Sequence, residues 1–161
     1  MNPATLGGFI EFITNVMGVP SSAMFNPSTD PVVGYAFNFA LQFINQQLQT
    51  IPNPGTGWSL STIATYNLAA DTLINWEQDP SNAPVYKDGL QYWAWLRKTY
   101  GVLNFVPGVI QSTSDEGTSS SYAVAEQFNN YTIANLQNLK TPYGRQYLAI
   151  AGSWGSLWGI N

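Results

Sequence analysis

The chain has no histidine and no cysteine among its 161 residues. Without cysteine there is no disulfide framework, no thiol nucleophile and no thiolate metal site. Without histidine the Ser–His and Cys–His nucleophile pairs, the imidazole general base and the common zinc sites all fall away. Charge is scarce too: 9% of residues are Asp, Glu, Lys or Arg, against roughly 25% in ordinary soluble domains. The five basic residues are Lys87, Arg97, Lys98, Lys140 and Arg145. They are too few to neutralise a run of phosphates, which argues against sequence-independent nucleic-acid binding. With a net charge of −4, the chain could still line a passage along which DNA slides without sticking. No basic n-region with a following apolar run opens the sequence, so no signal peptide is expected. Asn38, Gln42 and Asn45-Gln46-Gln47 interrupt the most apolar stretch well short of a membrane-spanning length. These absences lead us to expect a soluble protein made in a cytosol.

What the sequence holds instead is aromatic: six Trp, nine Tyr and eight Phe. Its polar surface must come from Asn, Gln, Ser and Thr. Aromatic residues are enriched and Lys depleted at the cores of protein interfaces, so this composition suits a subunit of an assembly. The most distinctive stretch lies between Asp30 and Asp71, where 40 consecutive residues carry no charge. Its first half shows two apolar rows at helical spacing: Val33, Phe37, Ala40, Ile44 and Leu48, and Val32, Tyr35, Phe39 and Phe43. A surface helix needs one such stripe. Two rows predict a helix over 32–48 at the centre of the molecule, covered all round by its own chain or by neighbouring subunits.

The remaining elements follow from caps and breakers. Asn2-Pro3 predicts a first helix over 3–17, closed by Gly18 and Pro20. Thr29 or Asp30, with Pro31, starts the central helix, and the cluster from Ile51 to Gly57 ends it. Ser59 or Ser61 caps a third helix running to about Glu77. A fourth is expected from Val85 to Thr99, with Arg97-Lys98 in its last turn and Gly101 beyond it. Residues 102–110 read as extended, and 111–121 as an exposed, mobile polar loop. A fifth helix is expected over 121–139 and a sixth, capped by Thr141, after Pro142. We find no internal repeat and no domain boundary. The fold class expected is therefore all-α: one helical domain over 1–161, a bundle of five to six helices.

For chemistry only carboxylates remain. A glycosidase would use paired Asp or Glu residues beside aromatic sugar platforms. The available groups are Glu11, Asp71, Glu77 and Asp88, with Trp58, Trp76 and Trp93. No spacing among them is diagnostic. Asp71 alone is flanked by apolar helical residues, which would allow partial burial, but it is expected to face solvent or to pair with Arg97. Gly55-Thr56-Gly57 lacks the Lys and the flanking strand of a phosphate loop. We therefore assign no catalytic, cofactor-binding or metal-binding residue. The segment after Gly152 carries Trp154, Leu157, Trp158 and Ile160 with Gly and Ser between them and no charge. Leaving such side chains in water costs roughly 1.5–3 kcal/mol each, so the segment should dock either on its own domain or on a partner; of the two, we expect these four to bind a protein partner.

A short, Cys-free, low-charge helical chain with an apolar arm resembles the head–tail adaptor (connector) proteins of tailed bacteriophages. The likeness lies in the organisation of the whole chain rather than in a residue motif, and it implies a bundle over about 3–100, with 102–161 as the loop, a helix and a C-terminal arm. It implies a virion structural protein made in the host cytoplasm, a homo-oligomeric ring of the neck that joins portal to tail. Portal-like and tail proteins would be its neighbours, DNA would pass through the ring, and neither a membrane nor a cofactor would be involved. Two other classes compete: a carbohydrate-active enzyme or glycan-binding module, and a carrier whose aromatic helices enclose an apolar ligand.

Overall fold

The computed structural model describes residues 3–44, 48–49, 57–104, 112–115, 118–121 and 138–153. Among these the fold is all-α, with five α-helices: α1 (Leu6–Phe12), α2 (Pro31–Phe43), α3 (Leu60–Trp76), α4 (Tyr92–Thr99) and α5 (Pro142–Gly152). The expected helix over 121–139 lies outside the described residues, apart from its last two and Ser121, which ends a strand instead.

Three helix starts follow the sequence reading. Asp30 accepts the Val32 N–H at 2.8 Å and Pro31 occupies the first turn of α2. Ser59 accepts the Thr62 N–H at 3.1 Å. Thr141 accepts the Gly144 N–H at 3.0 Å, with Pro142 following. Each supplies an acceptor to an N–H that has no partner within its helix. Gly101, at φ +68°, sits just past the end of α4, where the left-handed backbone excludes most other residues.

The first helix starts later than expected. Its cap is Thr5, which accepts the Gly8 N–H, and the Tyr66 hydroxyl fixes the turn by bonding both the N–H and the C=O of Thr5. The helix then widens into a π-turn over Ile13–Met17. The fourth helix is shorter than expected as well. Residues 85–91 form a tight antiparallel turn in which Tyr86 N–H donates to Leu90 C=O and Lys87 pairs with Leu90. Asp88-Gly89 both take positive φ, as a two-residue hairpin turn requires. Residues 111–121 were expected to be an irregular loop. Instead Ser112–Asp115 (β1) and Thr118–Ser121 (β2) pair antiparallel, Ser112 opposite Ser121.

The centre of the molecule is α3, not α2. Twelve of its residues are buried, from Thr62 to Ile74, including Thr62, Thr65, Asn67, Asp71 and Thr72. Helices α2 and α5 pack on it, and Phe9, Phe12, Phe37 and Tyr66 stack where α1, α2 and α3 meet, with ring centroids 5.8–6.5 Å apart. On α2 the first predicted row, Val33, Phe37, Ala40 and Ile44, is buried as expected, whereas Tyr35, Leu41 and Phe43 are exposed. The second row therefore does not make α2 a core helix: two of its members, Tyr35 and Phe43, are exposed.

Candidate functional site

The exposed face of α2 is built by the 3.6-residue period. Tyr35, Phe39 and Phe43 recur every four residues and fall in one line, with centroids 6.2 Å apart for the first pair and 4.4 Å for the second. Trp76, at the end of α3, extends the line: its ring lies 5.7 Å from that of Tyr35. Trp76 is 60% exposed and Tyr35 49%. No charged residue lies within α2. A run of four neighbouring aromatic rings, stacked or tilted on one another without a Lys or Glu between them, has the composition of an interface core rather than of a solvated surface.

At the Trp76 end of this row two carboxyl groups meet. Asp30 caps α2, and Glu77 follows the last residue of α3. Glu77 is buried, and its Oε1 accepts the Gln78 N–H at 3.0 Å. Its Oε2 has no donor among the described residues. The Asp30 carboxylate is its neighbour, and Glu77 can donate to that group only when protonated. Burial pushes Glu77 up to about 7, and the negative charge of Asp30 adds to the effect. Arg97 reaches the same corner from α4, but it donates to the backbone carbonyls of Ile74 (3.1 Å) and Glu77 (2.6 Å).

The second buried carboxyl is Asp71, at 4% exposure. It neither faces solvent nor pairs with Arg97, contrary to the expectation from sequence. The Thr141 hydroxyl donates to Asp71 Oδ1 while accepting the Gly144 N–H, so one hydroxyl joins the middle of α3 to the first turn of α5. Burial raises Asp71 to about 7, against the lowering effects of Thr141, Lys140 and Arg145. A Cβ at Gly144 would collide with the Asn138 carbonyl and press on Asp71 Oδ1, so only glycine permits this approach.

The other candidates fall apart in space. Glu11 and Trp58 line one open cleft of about 280 Å³ with Pro3, Thr5, Gly8 and Tyr66. Asp88 occupies the left-handed turn before α4. Trp93 is fully buried, in edge contact with Phe25 at 5.1 Å, and is a core residue rather than a sugar platform. Glu77 is paired with Asp30, a residue the sequence reading used only as a cap, and Asp71 lies beside Thr141. Of the seven groups weighed for a glycosidase, Glu11 and Trp58 share a cleft. Among the described residues no group of three or more Asp or Glu converges as a metal site would require, and no helix is long and apolar enough to cross a membrane. Trp154, Leu157, Trp158 and Ile160, the predicted protein-binding residues, lie outside the described residues.

The signal for the exposed row was present in the sequence as the second apolar row of α2. The Asp30–Glu77 and Asp71–Thr141 pairs join residues 47 and 70 positions apart, and no local pattern marks them. Compared with family models, curated proteins and solved structures, the chain matches none.

Proposed function

We propose that this chain is a self-assembling structural subunit of a virion, a ring component of the phage neck that joins portal to tail, and that it is not an enzyme. The observation that carries the reading is the uncharged aromatic row Trp76–Tyr35–Phe39–Phe43 on a helix whose Val33–Phe37–Ala40 side is already packed on the core. Exposed Trp and Tyr side chains cost free energy in water and recover it when an interface covers them. The resemblance of the whole chain to head–tail adaptors supplies the ring and the neck. The two carboxyl pairs fit this reading as tertiary joints, because each links two helices. Charge elsewhere is sparse, which suits a ring whose channel must let DNA pass without holding it.

The test is direct. The full chain, purified and passed through size-exclusion chromatography with light scattering, should run as a homo-oligomer. Negative-stain images of that fraction should show closed rings with a central channel. A chain that stays monomeric at every concentration reached would contradict the reading, as would hydrolysis of peptidoglycan or another glycan lost in Glu11→Gln.

A further inference from the structure

Among the described residues one carboxyl oxygen is buried without a hydrogen-bond partner, Oε2 of Glu77. The other oxygen of that group accepts the Gln78 N–H at 3.0 Å. The polar side chain beside it is Asp30, whose carboxylate already accepts the Val32 N–H at 2.8 Å as the cap of α2. Two ionised carboxyl groups offer each other only acceptors. Their contact attracts when one of them carries a proton and repels when neither does. We propose that the Asp30–Glu77 contact is a proton-operated latch between the start of α2 and the end of α3. It is closed while Glu77 holds its proton and open once the proton is lost, and opening releases the Trp76 ring from Tyr35. The latch is a joint within one subunit, so it stands whether or not the chain forms a ring.

Three observations support it. The first is what surrounds Glu77. The charged groups facing it are Asp30, from the turn before α2, and Arg97, from α4; Asp79 stands beside Arg97. Arg97 spends its Nη1 on the carbonyls of Ile74 and Glu77, at 3.1 and 2.6 Å. Asp79 spends both oxygens on the Trp93 and Ala94 N–H groups. A proton on Glu77 is what remains to quiet the contact, and burial together with the Asp30 charge keeps it there up to about pH 7. The second is freedom to move. α3 ends at Trp76, and Glu77 has extended backbone with ψ 142°. Its neighbours Trp76 and Gln78 are both exposed, so a turn of one side chain carries the carboxylate into water. Arg97 grips the Glu77 backbone, not its carboxylate, so α4 stays docked. Asp30 stays as well, because the first turn of α2 favours a negative charge. The third is the neighbouring ring. Trp76 is 60% exposed, and its ring meets that of Tyr35, in the second turn of α2, at 5.7 Å. Asp71 differs on the first two counts: it has the Thr141 hydroxyl as a donor and sits in the middle of α3.

The test follows the Trp76 ring by fluorine NMR in the full chain labelled with fluorotryptophan, its resonance assigned by its loss in Trp76→Phe. Between about pH 5 and 9 the wild-type resonance should move once, with a midpoint near 7. Glu77→Gln keeps an acceptor for Gln78 and an amide donor toward Asp30 at every pH, so its ring should lose most of that change and stay at the low-pH position. Asp30→Asn keeps a cap on α2 and brings an amide that donates to Glu77 with or without its proton, so it should do the same. Circular dichroism establishes that the variants are folded, and either one decides the matter if the other fails to fold. Asp71→Asn removes the other carboxyl that titrates near 7 and should leave the Trp76 transition where it is.

A wild-type resonance that does not move overturns the proposal. So does a transition that persists unchanged in Glu77→Gln or Asp30→Asn, or one that disappears in Asp71→Asn. If millimolar calcium chloride returns the wild-type ring to its low-pH position at high pH, the pair holds a cation rather than a proton, and the latch as proposed is wrong.

Discussion

Asp71 shows how a single side chain can couple the fold to pH. Its carboxyl titrates near 7 in the folded chain, against 3.8 ordinarily, because burial disfavours the charged form. Between those two values the folded state binds a proton that the unfolded state has released. Stability is therefore full below about pH 4, falls as the pH rises toward 7, and is level above that. Glu77, raised to about 7 by burial, adds a slope of the same sign. Asp71→Asn keeps an oxygen for the Thr141 hydroxyl and cannot ionise. It should raise the melting temperature at pH 8, by the equivalent of about 2–4 kcal/mol, and leave it nearly unchanged at pH 4. An equal effect at both pH values would contradict the burial of a titrating carboxyl. Gly144 makes the complementary case at the same joint. Gly144→Ala forces a Cβ against the Asn138 carbonyl and should cost about 1–3 kcal/mol. A melt showing no loss would mean that α5 does not approach α3 so closely.

At the scale of the elements, the caps were legible and the centre was not. Asp30-Pro31, Ser59 and Thr141-Pro142 announce helix starts because a cap works through neighbours two or three residues away. The burial of α3 was hidden by its polar residues. Thr65 donates to Ser61 C=O, Asn67 to Ile63, Thr72 to Leu68 and Asn75 to Asp71, each bonding the carbonyl four residues back. A polar side chain satisfied by its own helix can enter the core without a distant partner, so it weakens the apolar pattern without marking a solvent face. For α2 the reverse held: its two apolar rows suggest a core helix, but one row faces outward. The start of α4 shows a third case. Gln91 gives its helix no side-chain cap; the Asp79 carboxylate does, accepting the Trp93 and Ala94 N–H groups at 2.8 Å each. That cap comes from more than ten residues upstream and cannot be read locally. The Asp88-Gly89 turn before it could have been recognised from its dipeptide. Asp79→Ala should lower stability by about 1–2 kcal/mol in a denaturant melt. A loss below a few tenths of that would show that water serves α4 as well as Asp79 does.

For the whole molecule, what matters is where the little charge lies relative to the aromatic face. From Pro31 to Ala70 the chain carries none, so an interface seated on α2 has no ion pair of its own to screen. Assembly should change by no more than about threefold between low and high sodium chloride, since exposed charges are what salt screens. Sulfate should strengthen it by favouring burial of apolar surface. A steep loss of assembly with sodium chloride would place the interface elsewhere, near Lys87, Arg97, Lys98, Lys140 or Arg145. The most direct measurement of the account is hydroxyl-radical footprinting of the full chain, dilute and assembled. Tyr35 and Trp76 should lose most of their reactivity on assembly, while Tyr86 and Trp95, which meet edge to face beside the start of α4, should keep theirs. If Tyr35 and Trp76 react equally in both states, the aromatic face of α2 is not where these subunits meet.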